Sequence, residues 1–299
     1  MAKGKSKKSK KSKKKQPAEL CDRVADALVV GEGFDLSQVD PASTPELDGK
    51  EKDAVKLQTK TSAEVGDLQE RMYANKGTGP ALLLIVQGMD TAGKGGIMRH
   101  VVGQVDPQGI HLTSFKAPTK EELSHPFLWR IRKALPASGM IGVFDRSQYE
   151  DVLIARVRNL VPPTTWKRRY SQINAFEQAT TDRGIHIIKV MLHISPEEQA
   201  RRLTERVSRP DKYWKYNPGD VDERALWPAY QEAYQAALEK CSTQVAPWYV
   251  VPADNKWYAR FAVHNLLLRQ LRTLQLDWPP ADFDPKVEKK RIAESLPEA

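Results

Sequence analysis

Five short apolar runs punctuate the chain: Ala81–Val86, Ile110–Phe115, Met140–Phe144, Ile185–Ile194 and Trp248–Val251. Between and after them, apolar residues recur at helical spacing over 94–104, 120–134, 148–160, 165–182, 196–207, 222–241 and 255–274. Near-continuous apolar strands alternating with amphipathic helices predict an α/β fold of three layers, with a five-stranded parallel sheet covered on both faces. Ahead of the first run, residues 47–76 are charged, with sparse apolar positions at helical spacing. They predict a long surface helix, broken by KGTGP at 76–80. The division that follows is a lysine-rich tail at 1–17, a helical extension at 18–76, a core at 77–278 and a C-terminal tail at 279–299 expected at the surface.

The formal net charge of +9 suggests a nucleic-acid ligand until it is located. Nine of the 47 basic residues are lysines of residues 1–15, and the 38 that remain equal the 38 acidic ones. The body is neutral and its basicity is a tail, expected to be disordered because it cannot bury apolar surface. No apolar stretch is long enough for a membrane span, and the basic start leads into Gln16, Pro17 and Glu19 rather than an apolar segment. Cys21 and Cys241 stand far apart, and the six histidines show no HExxH spacing. These features point to a reducing, cytoplasmic setting without a zinc site or disulfide.

In sheets of this kind ligands bind at the carboxyl ends of the strands. The first strand is followed there by Gly88-Met-Asp90-Thr-Ala-Gly93-Lys94-Gly95-Gly96, the G-x-x-x-x-G-K core of a phosphate-binding loop. Glycines let backbone N–H groups turn toward an anion, the following helix adds its positive end, and the lysine adds a mobile charge. Gly95 stands where Ser or Thr normally ligates Mg²⁺. The missing oxygen then falls to Asp90, with Asp145 after the third strand as second carboxylate in the role of a Walker B aspartate. Arg146 suits clamping of a transferred phosphoryl group. Glu150 and Asp151 either offset a helix dipole or position the acceptor or a second Mg²⁺.

Residues 201–220 (RRLTERVSRPDKYWKYNPGD) place cations at 206, 209, 212 and 215, with Arg202 one turn earlier and Pro210, Pro218 and Gly219 as hinges. A mobile lid over phosphates has this composition. A second cluster, Arg156, Arg158, Lys167, Arg168 and Arg169, flanks VPP at 161–163. Two such clusters in a neutral body imply a polyanion larger than one phosphate. An acceptor that is itself a phosphate needs no general base, so alignment and charge neutralisation suffice.

The chain resembles the family-2 polyphosphate kinases through GMDTAGKGG (88–96), SFKAPT (114–119), FDRSQYEDVL (144–153), RYSQINAFE (169–177), RPDKYWKYNPGD (209–220), WPAYQEAYQAAL (227–238) and APWYVVPADNKWYAR (246–260). The resemblance implies a three-layer α/β/α P-loop kinase fold like thymidylate kinase, with a helical lid at 202–220. It implies reversible transfer of phosphoryl groups from inorganic polyphosphate to AMP and ADP, with Mg²⁺ (or Mn²⁺) as cofactor, in a homodimer or homotetramer. It assigns catalysis to Asp90, Lys94, Asp145, Arg146 and Arg206, and metal binding to Asp90 and Asp145. Phosphate contacts fall to Gly88, Gly93, Gly95, Gly96, Arg209, Lys212 and Lys215, and acceptor contacts to Glu150 and Asp151. Tyr149-Glu150-Asp151 and NLVP (159–162) are most similar to the subclass acting on both AMP and ADP. The residues alone leave an ATP-dependent nucleoside or nucleotide kinase open. A GTPase lacks its N-K-x-D, since Trp257-Tyr258 follow Asn255-Lys256. No specific nucleic-acid partner is expected.

Overall fold

A computed structural model describes residues 19–295, so the lysine-rich tail and its expected disorder lie outside the described residues. All five apolar runs are strands: β1 (Ala81–Gly88), β2 (Ile110–Ser114), β3 (Ile141–Asp145), β4 (Ile185–His193) and β5 (Trp248–Pro252). They form one sheet in the order β2-β3-β1-β4-β5, and every neighbouring pair is parallel. Each residue of β1 is buried, as a central strand covered on both faces requires. Its side chains alternate between two cores. Leu82, Leu84 and Val86 join Phe261 and Leu267 of the helix Lys256–Thr273, while Leu83 and Ile85 join Phe144 and Phe176.

The register brings the carboxyl ends of the central strands together, with Val86 opposite Asp145 and Gly88 opposite Leu192. The chain leaving β1 passes β3 to reach β2, whereas the chain leaving β3 passes β1 to reach β4. Neighbouring connections that depart in opposite directions open a crevice at this end of an α/β sheet. The site is therefore placed by topology before any side chain is considered.

The N-terminal extension packs into the same body. Val24 and Leu28 of the helix Leu20–Leu28, and Ala54 and Met72 of the helix Glu51–Ala74, share a core with Leu82 and Phe261. Val30 N–H donates to the Trp248 carbonyl at 2.9 Å and Val29 bridges Tyr249 antiparallel, which covers the outer edge of β5.

Four predicted helices are interrupted, the stretch 94–104 keeping its helix only over Lys94–His100 before a 3₁₀ turn at Val102–Gln104. The stretch 120–134 divides into Lys120–Leu123 and Trp129–Lys133 around Pro126, which a helix interior does not accept. The stretch 222–241 divides into Gly219–Arg224 and Trp227–Cys241, because Pro228 occupies the first turn of a new helix. The stretch 148–160 becomes a 3₁₀ turn, Gln148–Asp151, and a short helix, Ile154–Val157. Three helices run close to their expected spans, Pro163–Thr181, Pro196–Ser208 and Lys256–Thr273. The described part of the C-terminal stretch, to residue 295, is almost entirely exposed, and residues Pro285–Glu294 form a helix capped by Asp284 that buries none of its side chains. Among the described residues, no helix is long and apolar enough to cross a membrane.

One buried histidine ties the extension to the core. His264 Nε2 lies 2.7 Å from Thr61 Oγ1, and burial pulls its imidazole down to about 4 from 6.5. The folded protein thus holds it neutral where the unfolded chain is protonated. Stability is fully present above about pH 6.5 and is lost as pH falls toward 4, by on the order of 3 kcal/mol. A melting series between those pH values should show a shallower slope in His264→Asn than in the wild type.

Candidate active site

The loop 88–93 joins β1 to the helix Lys94–His100. Gly88 has φ 153°, and a Cβ there would lie 2.8 Å from the Leu192 carbonyl oxygen, so glycine is required. The carbonyls of residues 88–92 are all taken by side chains. Lys94 Nζ donates to the Gly88 and Met89 carbonyls at 2.8 and 3.2 Å. Gln199 Nε2 donates to the Asp90 carbonyl at 3.0 Å. Arg202 Nη1 donates to the Thr91 and Ala92 carbonyls, both at 2.9 Å. Arg202 is itself buried, and its Nη2 also donates to the Ala253 and Asp254 carbonyls. It was expected among the lid's cations and is instead a strut between the phosphate loop and the loop after β5.

Asp90, Asp145, Arg146 and Glu150 gather at the ends of β1 and β3. Arg146 Nη2 donates to Asp90 Oδ1 at 3.0 Å, from a backbone at φ 65° that costs a non-glycine residue energy. Gln87 Nε2 donates to Glu150 Oε1 at 3.2 Å. Burial pushes the Glu150 carboxyl above its usual range, against the pull of Arg146 and Lys94. Burial also draws the Lys94 ammonium down, with Asp90 opposing and Arg146 adding to the fall. Burial works against the Arg146 charge too, but Glu150, Asp90 and Asp145 outweigh it and raise that group. Asp145 Oδ1 is buried without a hydrogen-bond partner, and such an atom is poised for a cation.

Two cavities meet at Asp90. The first, about 260 Å³, is lined by Gly88, Arg146, Glu150, Arg158, Asp220 and Tyr234 among others. The second, about 480 Å³, runs over Gly93–Gly96 and Asp145 and carries seven cations against two carboxylates. Arg206, Lys212 and Lys215 approach it from the segment expected to be the lid. Arg206 is held there by Asp220 at 3.2 Å, and Lys212 by Glu205.

Two expected site residues point elsewhere. Asp151 pairs with Arg169 at 3.1 Å and lines neither cavity. Arg209 is exposed and pairs with Asp211 at 2.8 Å and Glu205 at 3.4 Å. Of the second basic cluster only Arg158 reaches the first cavity, where Glu223 holds it at 2.6 Å. Arg156 and Lys167 line a separate groove.

Several residues of the site escaped the motif reading. Lys256 and Arg260, with Arg99, complete the rim of the second cavity. The signal for the first two was present, because they follow the last apolar run at a carboxyl end, in ADNKWYAR. Tyr230 and Tyr234, on a helix whose spacing shows only amphipathicity, line the first cavity, and Tyr230 Oη donates to Glu223 at 2.7 Å.

The profile of the family "Polyphosphate kinase 2 (PPK2)" matches residues 48–277. The chain belongs to that family. It is 41% identical over 246 residues to the AMP/ADP-polyphosphate phosphotransferase of Meiothermus ruber, covering 82% of this chain and 91% of that one. It is 39% identical over 261 residues to the ADP-polyphosphate phosphotransferase of Rhodopseudomonas palustris, covering 83% and 89%. The crystal structure of polyphosphate kinase 2 from Arthrobacter aurescens TC1 superposes with a TM-score of 0.90 at 54% identity, over 93% of this chain and 99% of that one. The protein is therefore a polyphosphate kinase 2 with an α/β P-loop core, a phosphotransferase whose phosphate loop is braced from behind.

That brace is testable without substrate. Arg202→Leu strips donors from four carbonyls and leaves Glu198, 2.6 Å away, without its buried partner. It should cost about 3 kcal/mol or more. Arg201→Ala, at an exposed neighbour, should stay within about 0.5 kcal/mol. Calorimetric melting of the two variants checks this.

Proposed function

We propose that this polyphosphate kinase 2 transfers a phosphoryl group from inorganic polyphosphate to AMP and to ADP, with Mg²⁺ as the assisting ion. The observation that carries the reading is the pair of cavities sharing Asp90, one of them holding seven cations to two carboxylates. That surplus exceeds what a single triphosphate needs and suits a long donor chain laid across the phosphate loop. The relatives named for AMP/ADP and ADP phosphotransfer support the choice of acceptors.

In this reading the first cavity takes the acceptor's phosphate and the second the donor's terminal residues. An acceptor phosphate oxygen attacks the terminal phosphorus, the bridging P–O bond breaks, and the shortened polyphosphate leaves with that bond's electrons. No proton has to be removed, so no general base is needed. Lys94 and Arg146 neutralise charge on the two sides of the transferred group, and Arg206, Lys212, Lys215, Lys256 and Arg260 hold the donor chain. The catalytic set is Asp90, Lys94, Asp145, Arg146 and Arg206, with the glycines at 88, 93, 95 and 96 admitting phosphate close to the backbone.

Asp90 and Asp145 fit a hard divalent ion. Asp145 Oδ1 is buried and unpartnered, and no group of three or more His, Cys, Asp or Glu forms a closed cage among the described residues. One or two carboxylates completed by substrate phosphates is the usual way Mg²⁺ is held. When bound it neutralises charge on the phosphates.

The test is purified protein with Mg²⁺, long-chain polyphosphate and AMP, ADP or GDP in separate reactions without added ATP, resolved by ion exchange. ADP and then ATP should form from AMP. No product with polyphosphate, and product with ATP plus a nucleoside, would make it an ATP-dependent kinase instead. Lys94→Ala should lower turnover at least about 100-fold, in the range set by losing one preorganised charge at the transferred group. Lys212→Ala should raise the KM for polyphosphate more than the KM for nucleotide.

A further inference from the structure

A wholly buried ion pair is bonded to the turn that follows Arg146 and carries Glu150. Lys189 Nζ, in β4, is 2.6 Å from Glu177 Oε2, in the helix Pro163–Thr181, and neither side chain reaches solvent. Lys189 also donates to Tyr149 Oη at 2.8 Å and to the Cys241 carbonyl at 2.6 Å. The other oxygen of Glu177 accepts from Tyr149 Oη at 2.8 Å and from Gln148 Nε2 at 3.0 Å. One carboxylate thus gathers two consecutive residues of the 3₁₀ turn Gln148–Asp151.

Stability does not account for this arrangement. A buried ion pair gains little or nothing over well-packed apolar residues of the same volume. Tyr149 already packs edge-on against Trp248, with ring centroids 4.6 Å apart. What the pair does add is direction. Arg146 is held in a left-handed backbone at φ 65°, and such strain persists only where the surroundings over-determine it. On the upstream side the restraint is Arg146 N–H donating to the Val86 carbonyl at 3.1 Å. On the downstream side it is the grip of Glu177 on Gln148 and Tyr149. Of residues 146–151, Arg146 just before this turn and Glu150 within it line the first cavity.

We propose that Glu177 and Lys189 are positioning residues for the acceptor half of the reaction. Lys189 fixes the carboxylate of Glu177, and Glu177 fixes the turn through Tyr149 and Gln148, so that Arg146 and Glu150 meet the acceptor phosphate already aimed. The inference rests on the assignment of the acceptor to the first cavity. It sets the donor side apart, because the cations of the second cavity are carried by other segments of the chain.

The experiment compares two double variants that both remove the charges, Glu177→Leu/Lys189→Met and Glu177→Gln/Lys189→Met. The second keeps a side-chain oxygen to accept from Tyr149 and Gln148, and the first does not. Steady-state kinetics are run with AMP varied at saturating polyphosphate and then the reverse, on protein shown to melt cooperatively. Glu177→Leu/Lys189→Met should raise the acceptor KM at least tenfold and leave the polyphosphate KM within twofold. Glu177→Gln/Lys189→Met should recover at least threefold of that loss. Equal acceptor KM in the two folded variants overturns the positioning role. Should the leucine variant fail to fold, Tyr149→Phe decides. An acceptor KM raised at least threefold supports the proposal, and an unchanged one overturns it. Wild-type protein run alongside separates the two levels, since absence of any product from it overturns the proposed function rather than the positioning.

Discussion

A loop that binds phosphate with its N–H groups must dispose of its carbonyl oxygens elsewhere. Here five consecutive carbonyls, from Gly88 to Ala92, each accept from a side chain. Three residues supply those donors, and each comes at a different cost. Lys94 bends back over its own loop, and Gln199 and Arg202 project from the first turns of the helix Pro196–Ser208. The guanidinium of Arg202 is nearly sealed from water, which is tolerable only because its nitrogens find four carbonyls and Glu198. The loop's shape is therefore a property of the helix after β4 as much as of its own glycines.

The neutral body of the protein gains its polarity by placement. Cations collect along one rim, and two acids near it, Glu205 and Asp220, hold three of them, Lys212, Lys256 and Arg206, while Glu205 also takes the exposed Arg209. Arg206, Lys212 and Lys256 are thereby partly ordered before a polyanion arrives, which lowers the entropy lost on binding. Burial raises the Asp220 carboxyl, with the charge of Asp90 adding to it.

Much of this was legible in the chain. The five strands stand out because central parallel strands must be apolar on both faces, and Gly88, Gly93, Lys94 and Asp145 because ligands sit at strand ends. What stayed hidden depends on which way a side chain turns. Arg202 and Arg206 are one helical turn apart and equally basic, yet one is a buried brace and the other lines a cavity. Glu150 and Asp151 are adjacent, and the tight turn sends one into the cavity and the other to Arg169. The broken helix at 148–160 was not legible locally, since the partner that Gln148 and Tyr149 bond to, Glu177, lies in the helix that follows.

The brace at Arg202 also sets where this architecture tolerates change. The first two turns of the helix Pro196–Ser208 are bonded to the phosphate loop and cannot swing or drift in sequence without disturbing it. Beyond Ser208 the chain turns extended at Arg209, and the 3₁₀ turn Pro210–Lys215 that follows buries no side chain. Residues 209–216 are held through Glu205 and Arg206 at the far end of that helix, and not through the phosphate loop. A change in the length or charge of this segment would alter the cations that Lys212 and Lys215 bring to the second cavity while leaving in place the bonds that shape the loop after β1.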